Sequence, residues 1–172
     1  MRPDIKVWNP ENPAQWNKTL AWTTVWLSTF SLTLGFCAWF LVPSLAPRLN
    51  EIGFSLTHSQ LYWLVAMVGL SAGTLRILWT FLPPILGTRI LVTLSTGLLL
   101  IPLFCWVYAA QHPDTPYWML ICFALLSGIG GGTFSGLMAS TNYFFPKHER
   151  GLALGIQGGL SDFGTGLVQF VT

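Results

Sequence analysis

The stretch LYWLVAMVGLSAGTLRILWTFLPPIL, residues 61–86, decides the fold. One charged side chain, Arg76, interrupts an otherwise apolar run. A helix needs about 20 apolar residues to cross a bilayer, and this run is long enough. An arginine deep in hydrocarbon is costly and usually faces a protein cavity or a solute path. Its planar fork can bond two oxygens of one anion at once. The segment therefore predicts a membrane helix built around a fixed positive charge.

The rest of the chain fits that reading. Of its 172 residues 52% are hydrophobic and 8% charged, against about 25% charged in an ordinary soluble domain. No Asp, Glu, Lys or Arg falls between Lys18 and Arg48, Glu51 and Arg76, Arg89 and Asp114, or Asp114 and Lys147. Five spans are expected, at 21–42, 60–83, 90–110, 117–140 and 151–172. The fold class is an all-α membrane bundle. Residues 1–20 read as a cytoplasmic tail, with Pro3, Pro10 and Pro13 and no cleavable signal peptide. Short connections at 43–59, Gly87-Thr88-Arg89, 111–116 and Pro146–Arg150 make sequential helices antiparallel neighbours. Five spans with no polar flank after the last read as the N-terminal piece of a longer polytopic protein.

Lysine and arginine set the orientation. With the N-terminus inside, the inner segments hold Arg2, Lys6, Lys18, Arg89, Lys147 and Arg150, and the outer segments hold Arg48. Trp22, Trp63, Tyr117 and Trp118 lie near span ends, where interfacial aromatics belong. Cys37, Cys105 and Cys122 fall within spans and read as inert buried thiols. His58, His112 and His148 fall in loops. No nucleophile constellation, phosphate loop or metal cluster is present, so no enzyme, cofactor, metal or nucleic-acid partner is expected.

Glycine marks where helices approach. Gly128, Gly132, Gly136 and Ser140 recur every fourth residue, as do Gly151, Gly155 and Gly159. Small residues at that spacing let two membrane helices touch backbone to backbone. Bare backbone there can also line a small-ligand site.

Two charges lie at depth. Arg76 is about 24 Å into its helix from Gln60, and Asp162 about 18 Å beyond Arg150. Arg76 can snorkel, join an ion pair, or bind an anion; the anion site is the reading adopted. Gly155, Asp162 and Gly166 share one helix face. Asp162 can pair with Arg76, accept a proton, or be displaced by an incoming anion. Phe36 and Phe134 lie near mid-span and, on their own, read as packing.

Four segments resemble the NarK-type nitrate/nitrite porters of the major facilitator superfamily. They are Trp8-Asn9-Pro10-Glu11-Asn12-Pro13 in the tail, Ser71-Ala72-Gly73-Thr74-Leu75-Arg76, Asn142-Tyr143-Phe144-Phe145-Pro146-Lys147, and Gly151 to Leu160 in the glycine-rich nitrate signature. The resemblance implies a twelve-helix transporter of two halves, of which this chain supplies helices one to five. The missing C-terminal half would supply a second substrate arginine on helix eight and a second nitrate signature.

The same resemblance implies that Arg76 binds substrate, that Phe36 and Phe134 flank a flat anion, and that Gly158 brings backbone near it. The family commonly has asparagine where this chain has Asp162. An ionised aspartate cannot donate to nitrate, so Asp162 is protonated, paired with Arg76, or turned away; Gln157 can offer an amide instead. The implied function is nitrate transport in the bacterial inner membrane by alternating access, as nitrate/nitrite exchange or proton-coupled uptake. The partners are nitrate, nitrite and the lipid bilayer. A carrier of another small anion or solute on the same scaffold, a passive channel, and a non-transporting structural or truncated product are the alternatives.

Overall fold

A computed structural model describes residues 8–172. Helix α1 spans Lys18–Leu45 and begins where the Asn17 side chain accepts from the Leu20 amide at 3.0 Å, satisfying an otherwise orphaned donor. A 3-10 turn at Ala46–Arg48 and the short α2, Leu49–Ile52, follow. Gly53 ends α2 at φ 118°, a left-handed position that glycine takes without strain.

Helix α3 runs His58–Leu98 and starts at a reciprocal cap between Thr57 and Gln60. Gly87, at φ 72° and ψ 155°, folds it into two arms. The Trp79 indole donates to Ser95 Oγ at 2.9 Å, although a straight helix would hold those residues about 24 Å apart. Helix α4, Leu100–Gln111, continues the second arm. Pro102 has no amide to give the Leu98 carbonyl, which accounts for the break at Leu99. Helices α5, Tyr117–Phe144, and α6, Lys147–Val171, complete the bundle.

Five passes result, and the chain is a multi-pass membrane protein. Three helical stretches are long and apolar enough to cross a membrane: Lys18–Ile52, His58–Gln111, which doubles back at Gly87, and Tyr117–Phe144. Helix α6 has 25 residues but its glycines and polar side chains keep it below that level of hydrophobicity. Two expectations need correcting. Pro83 and Pro84 sit inside the first arm of α3 rather than ending it; each withholds an amide from the carbonyl four residues back, at Trp79 and Thr80, and the arm runs on to the turn at Gly87. Pro146–Arg150 is no loop: Pro146 caps α6, and Lys147, His148, Glu149 and Arg150 form its first turn. Proline suits a helix start, and Glu149 suits the positive end of the helix dipole.

Helix α5 is the hub, and its glycines are the reason. A methyl group on Gly128 would come within 2.7 Å of the Ala72 amide nitrogen. One on Gly132 would meet Leu75 Cβ at 2.7 Å, and one on Gly136 the Trp79 carbonyl at 2.9 Å. The four-residue glycine register of α5 thus seats against Ser71, Leu75 and Trp79 of α3, which are also four apart. On its other side α5 meets α1, where Gly130 faces the Gly35 carbonyl, and α1 meets α6 where Gly164 faces the Thr33 carbonyl.

The α6 glycines behave differently. Around Gly151, Gly155 and Gly159 an added Cβ meets nothing within 4 Å, and all three are exposed. The helix packing expected of them is not made within the described residues. The face of α6 that packs carries Ala153, Gln157, Ser161, Gly164 and Val168.

Candidate functional site

Arg76 lies on the first arm of α3, half-buried, facing α1 and α5. Its main-chain carbonyl accepts from Thr80 Oγ1 at 2.7 Å and from Ser135 Oγ of α5 at 2.8 Å, which ties this turn of α3 to α5. Its Nε donates to the Gly131 carbonyl at 3.1 Å. Its guanidinium carbon lies 5.3 Å from the centroid of the Trp39 ring and 5.3 Å from that of Phe134. Both distances are within the range of cation–π attraction.

These rings belong to a cluster. Phe36 meets Phe134 edge-on at 5.9 Å and Trp39 at 5.6 Å, and Trp39 meets Phe40 at 4.9 Å. The structure thus brings Arg76, Phe36 and Phe134 together. It adds Trp39, Gly131 and Ser135, which the sequence reading passed over. One signal for Trp39 was present: Phe36, Trp39 and Phe40 fall at helical spacing on one face of α1.

The arginine side chain has a definite chemical posture. Nε is engaged, and the rings supply π faces to the cation. Among the described residues, ion pairs occur only at Glu149, with Lys18 at 2.8 Å and with His148 at 3.9 Å. Arg76 therefore has no carboxylate partner in the described bundle, and its terminal nitrogens are left to act as a two-pronged donor. A fork of this kind can bond two oxygens of one anion at once.

Asp162 is not part of that cluster. It is exposed on α6, on the face that carries Gly155 and Gly166, and forms no ion pair with Arg76. Of the roles open to it, being turned away from Arg76 is the one the structure contains. Gly158 is half-buried, and a methyl group there would lie 3.6 Å from Met138 Cε on α5.

Gln157 corrects an expectation. It is fully buried, its Oε1 accepting from Thr141 Oγ1 at 2.6 Å and its Nε2 donating to Ser28 Oγ at 3.0 Å. Its amide joins α1, α5 and α6 and does not face Arg76. Unsatisfied polar atoms are costly in a membrane interior, so this side chain is spent on packing.

The tail is also more than a polar lead-in. Trp16 Nε1 donates to the Phe144 carbonyl at 2.9 Å, and Glu11 Oε1 accepts from the Lys147 amide at 3.0 Å. Trp8 packs edge-on against Phe144 at 5.5 Å and Trp16 against Phe145 at 6.2 Å. The strap thus closes over the α5–α6 junction. Arg2, Lys6 and Pro3 lie outside the described residues. The cysteines are free thiols, with Cys37 donating to the Gly164 carbonyl at 3.4 Å.

Comparison with known proteins agrees with this architecture. The chain is 60% identical over 168 residues to a probable nitrate/nitrite antiporter, NarK2, of Thermus thermophilus, covering 98% of this chain and 38% of that protein. It is 40% identical over 170 residues to the nitrate/nitrite transporter NarU of Escherichia coli, covering 97% and 37%. It is 32% identical over 145 residues to a probable nitrate transporter, NarT, of Staphylococcus aureus, covering 84% and 36%. The chain therefore spans little more than a third of the length of these relatives. The profile of the Major Facilitator Superfamily matches residues 8–171, nearly all of the five-pass bundle and its strap, and the chain belongs to that superfamily.

Proposed function

We propose that this chain forms the N-terminal five helices of a nitrate carrier that works by alternating access. Arg76 is the substrate ligand, offering two N–H donors to a flat monovalent anion. Phe36 and Phe134 flank it. The observation that carries the reading is the posture of Arg76: Nε held by Gly131, cation beside two rings, and no carboxylate neutralising it among the described residues. The printed functions of NarK2, NarU and NarT support nitrate and nitrite as the solutes.

In this proposal residues 1–20 are a cytoplasmic tail and 21–172 the membrane bundle, set in a bacterial inner membrane. The inner excess of lysine and arginine supports that orientation. The exposed glycine face of α6, with Asp162 and Gly158 near its middle, meets the other half of the transporter. Rocking of one half against the other then opens Arg76 to each side in turn. Binding and release of an anion is the only chemistry required, so no cofactor or catalytic residue enters.

The full-length protein in proteoliposomes tests this. Nitrate uptake that needs nitrite inside the vesicle identifies exchange. Uptake driven by an imposed proton gradient identifies proton coupling and makes Asp162 the proton-carrying candidate. No nitrate uptake under either condition refutes the reading.

A further inference from the structure

We propose that Trp39 is a positioning residue for Arg76, holding the guanidinium so that its terminal nitrogens present a fixed fork. The inference deepens the nitrate-carrier reading and rests on it. A long arginine side chain in an open cavity samples many rotamers, and a bidentate match is useful only if the plane of the fork is set beforehand. Three contacts bound it here, one of them the Phe134 ring, 5.3 Å from the guanidinium carbon. The Nε–H bond to the Gly131 carbonyl, at 3.1 Å, fixes the near end of the group. The Trp39 ring, 5.3 Å from the guanidinium carbon, fixes its tilt, and tryptophan is the strongest aromatic partner for a cation.

Trp39 is itself held firmly. Phe36 and Phe40 abut it at 5.6 Å and 4.9 Å. A methyl group on Gly131 would lie 2.7 Å from two of its ring atoms. The indole therefore lies flat on the backbone of α5 at the very residue whose carbonyl engages Arg76. Gly131 serves both contacts, by its oxygen and by its missing side chain. Trp39 is partly buried and packs against both the cluster of Val42, Leu64 and Val68 and that of Leu32, Phe36 and Leu137, so it is held from two sides.

The consequence is selectivity. A fork with a preset plane rewards anions that present two oxygens along one edge. A mobile arginine behaves as a point charge and takes a spherical halide nearly as well. Trp39 thus sets discrimination between oxyanions and chloride without touching either.

The experiment is nitrate uptake by the full-length protein in proteoliposomes, with chloride as competitor, for Trp39→Phe and Trp39→Leu. Rates are normalised to monodisperse protein. Trp39→Leu is expected to raise the KM for nitrate about tenfold, which is ~1.4 kcal/mol, with the maximal rate within about twofold of the unmutated protein. Chloride should compete relatively better. Trp39→Phe keeps a weaker π face and should raise KM about threefold, and it decides the matter alone if the leucine variant does not assemble. An unchanged KM and unchanged chloride competition, with or without a fall in maximal rate, reduces Trp39 to packing and overturns the proposal. Absence of nitrate uptake by the unmutated protein overturns the nitrate reading and this role together.

Discussion

Replacing Gly128 with alanine should destabilise the bundle by about 1–3 kcal/mol, the cost of overpacking a close-packed interior. The added Cβ would lie 2.5 Å from Ser71 Oγ, 2.6 Å from Ser71 Cβ and 2.7 Å from the Ala72 nitrogen. Carbon contacts are comfortable at about 3.5–4.0 Å, so the overlap approaches an ångström. Ser71 can rotate aside only by giving up its bond to the Leu125 carbonyl, a loss of about 0.5–1.5 kcal/mol. The Ala72 nitrogen is main chain and moves only if α3 moves. Alanine returns at most about 1 kcal/mol of helix propensity. The assay is thermal unfolding of the full-length protein in detergent, with Gly97→Ala as control. An added Cβ at Gly97 meets nothing within 4 Å, so that variant should match or slightly exceed the unmutated protein. A Gly128→Ala protein as stable as the control would refute the claim that α3 and α5 touch backbone to backbone here.

Gln157→Leu should cost about 1–3 kcal/mol in the same thermal assay, because the Thr141 and Ser28 hydroxyls lose their buried partner; an unchanged midpoint would argue against the three-helix junction. Gly87→Ala should cost about 1–3 kcal/mol, since φ 72° with ψ 155° is a region that side-chain-bearing residues avoid, and unaltered stability would contradict the hairpin geometry. The Lys18 ammonium, by hydrogen bond and charge, holds the Glu149 carboxyl below its ordinary value of 4.5. A lowered folded value means that the pair's support for the strap is complete above about pH 4.5 and fades as pH falls through the lowered range. Proteolytic clipping within residues 8–17 should therefore rise on acidification and with salt, and Glu149→Gln should already be clipped faster at neutral pH and respond less to both.

The passes were legible because charge is so expensive in hydrocarbon that charge-free intervals delimit helices almost by themselves. The resemblance picked out Arg76, Phe36 and Phe134, and the structure brings them together. Which face of each helix packs was not legible. In a soluble helix apolar periodicity marks the inner face, but here exposed Phe81 and Phe104 are as apolar as core Leu64 and Leu137. Two glycine series with one spacing consequently looked alike, yet that of α5 is buried against α3 and that of α6 lies open. Gln157 and Asp162 suffered the same ambiguity. They are five residues apart, and only the angular setting of α6 decides that one is buried and the other exposed. Trp39 was hidden among many aromatics, since its helical spacing with Phe36 and Phe40 marks a shared face but not the cation beside it. The strap was hidden because its bonds run to main-chain atoms of Phe144 and Lys147, which leave no trace in side-chain identity.

The central claim is that Arg76 binds the transported anion through its fork, and Arg76→Lys tests it most directly. Lysine keeps the charge but loses the planar pair of donors. Nitrate uptake by the full-length protein in nitrite-loaded proteoliposomes should fall at least about 100-fold in kcat/KM, or ~2.7 kcal/mol, with folding intact by thermal unfolding. Near-normal uptake in a well-folded Arg76→Lys protein would contradict the account.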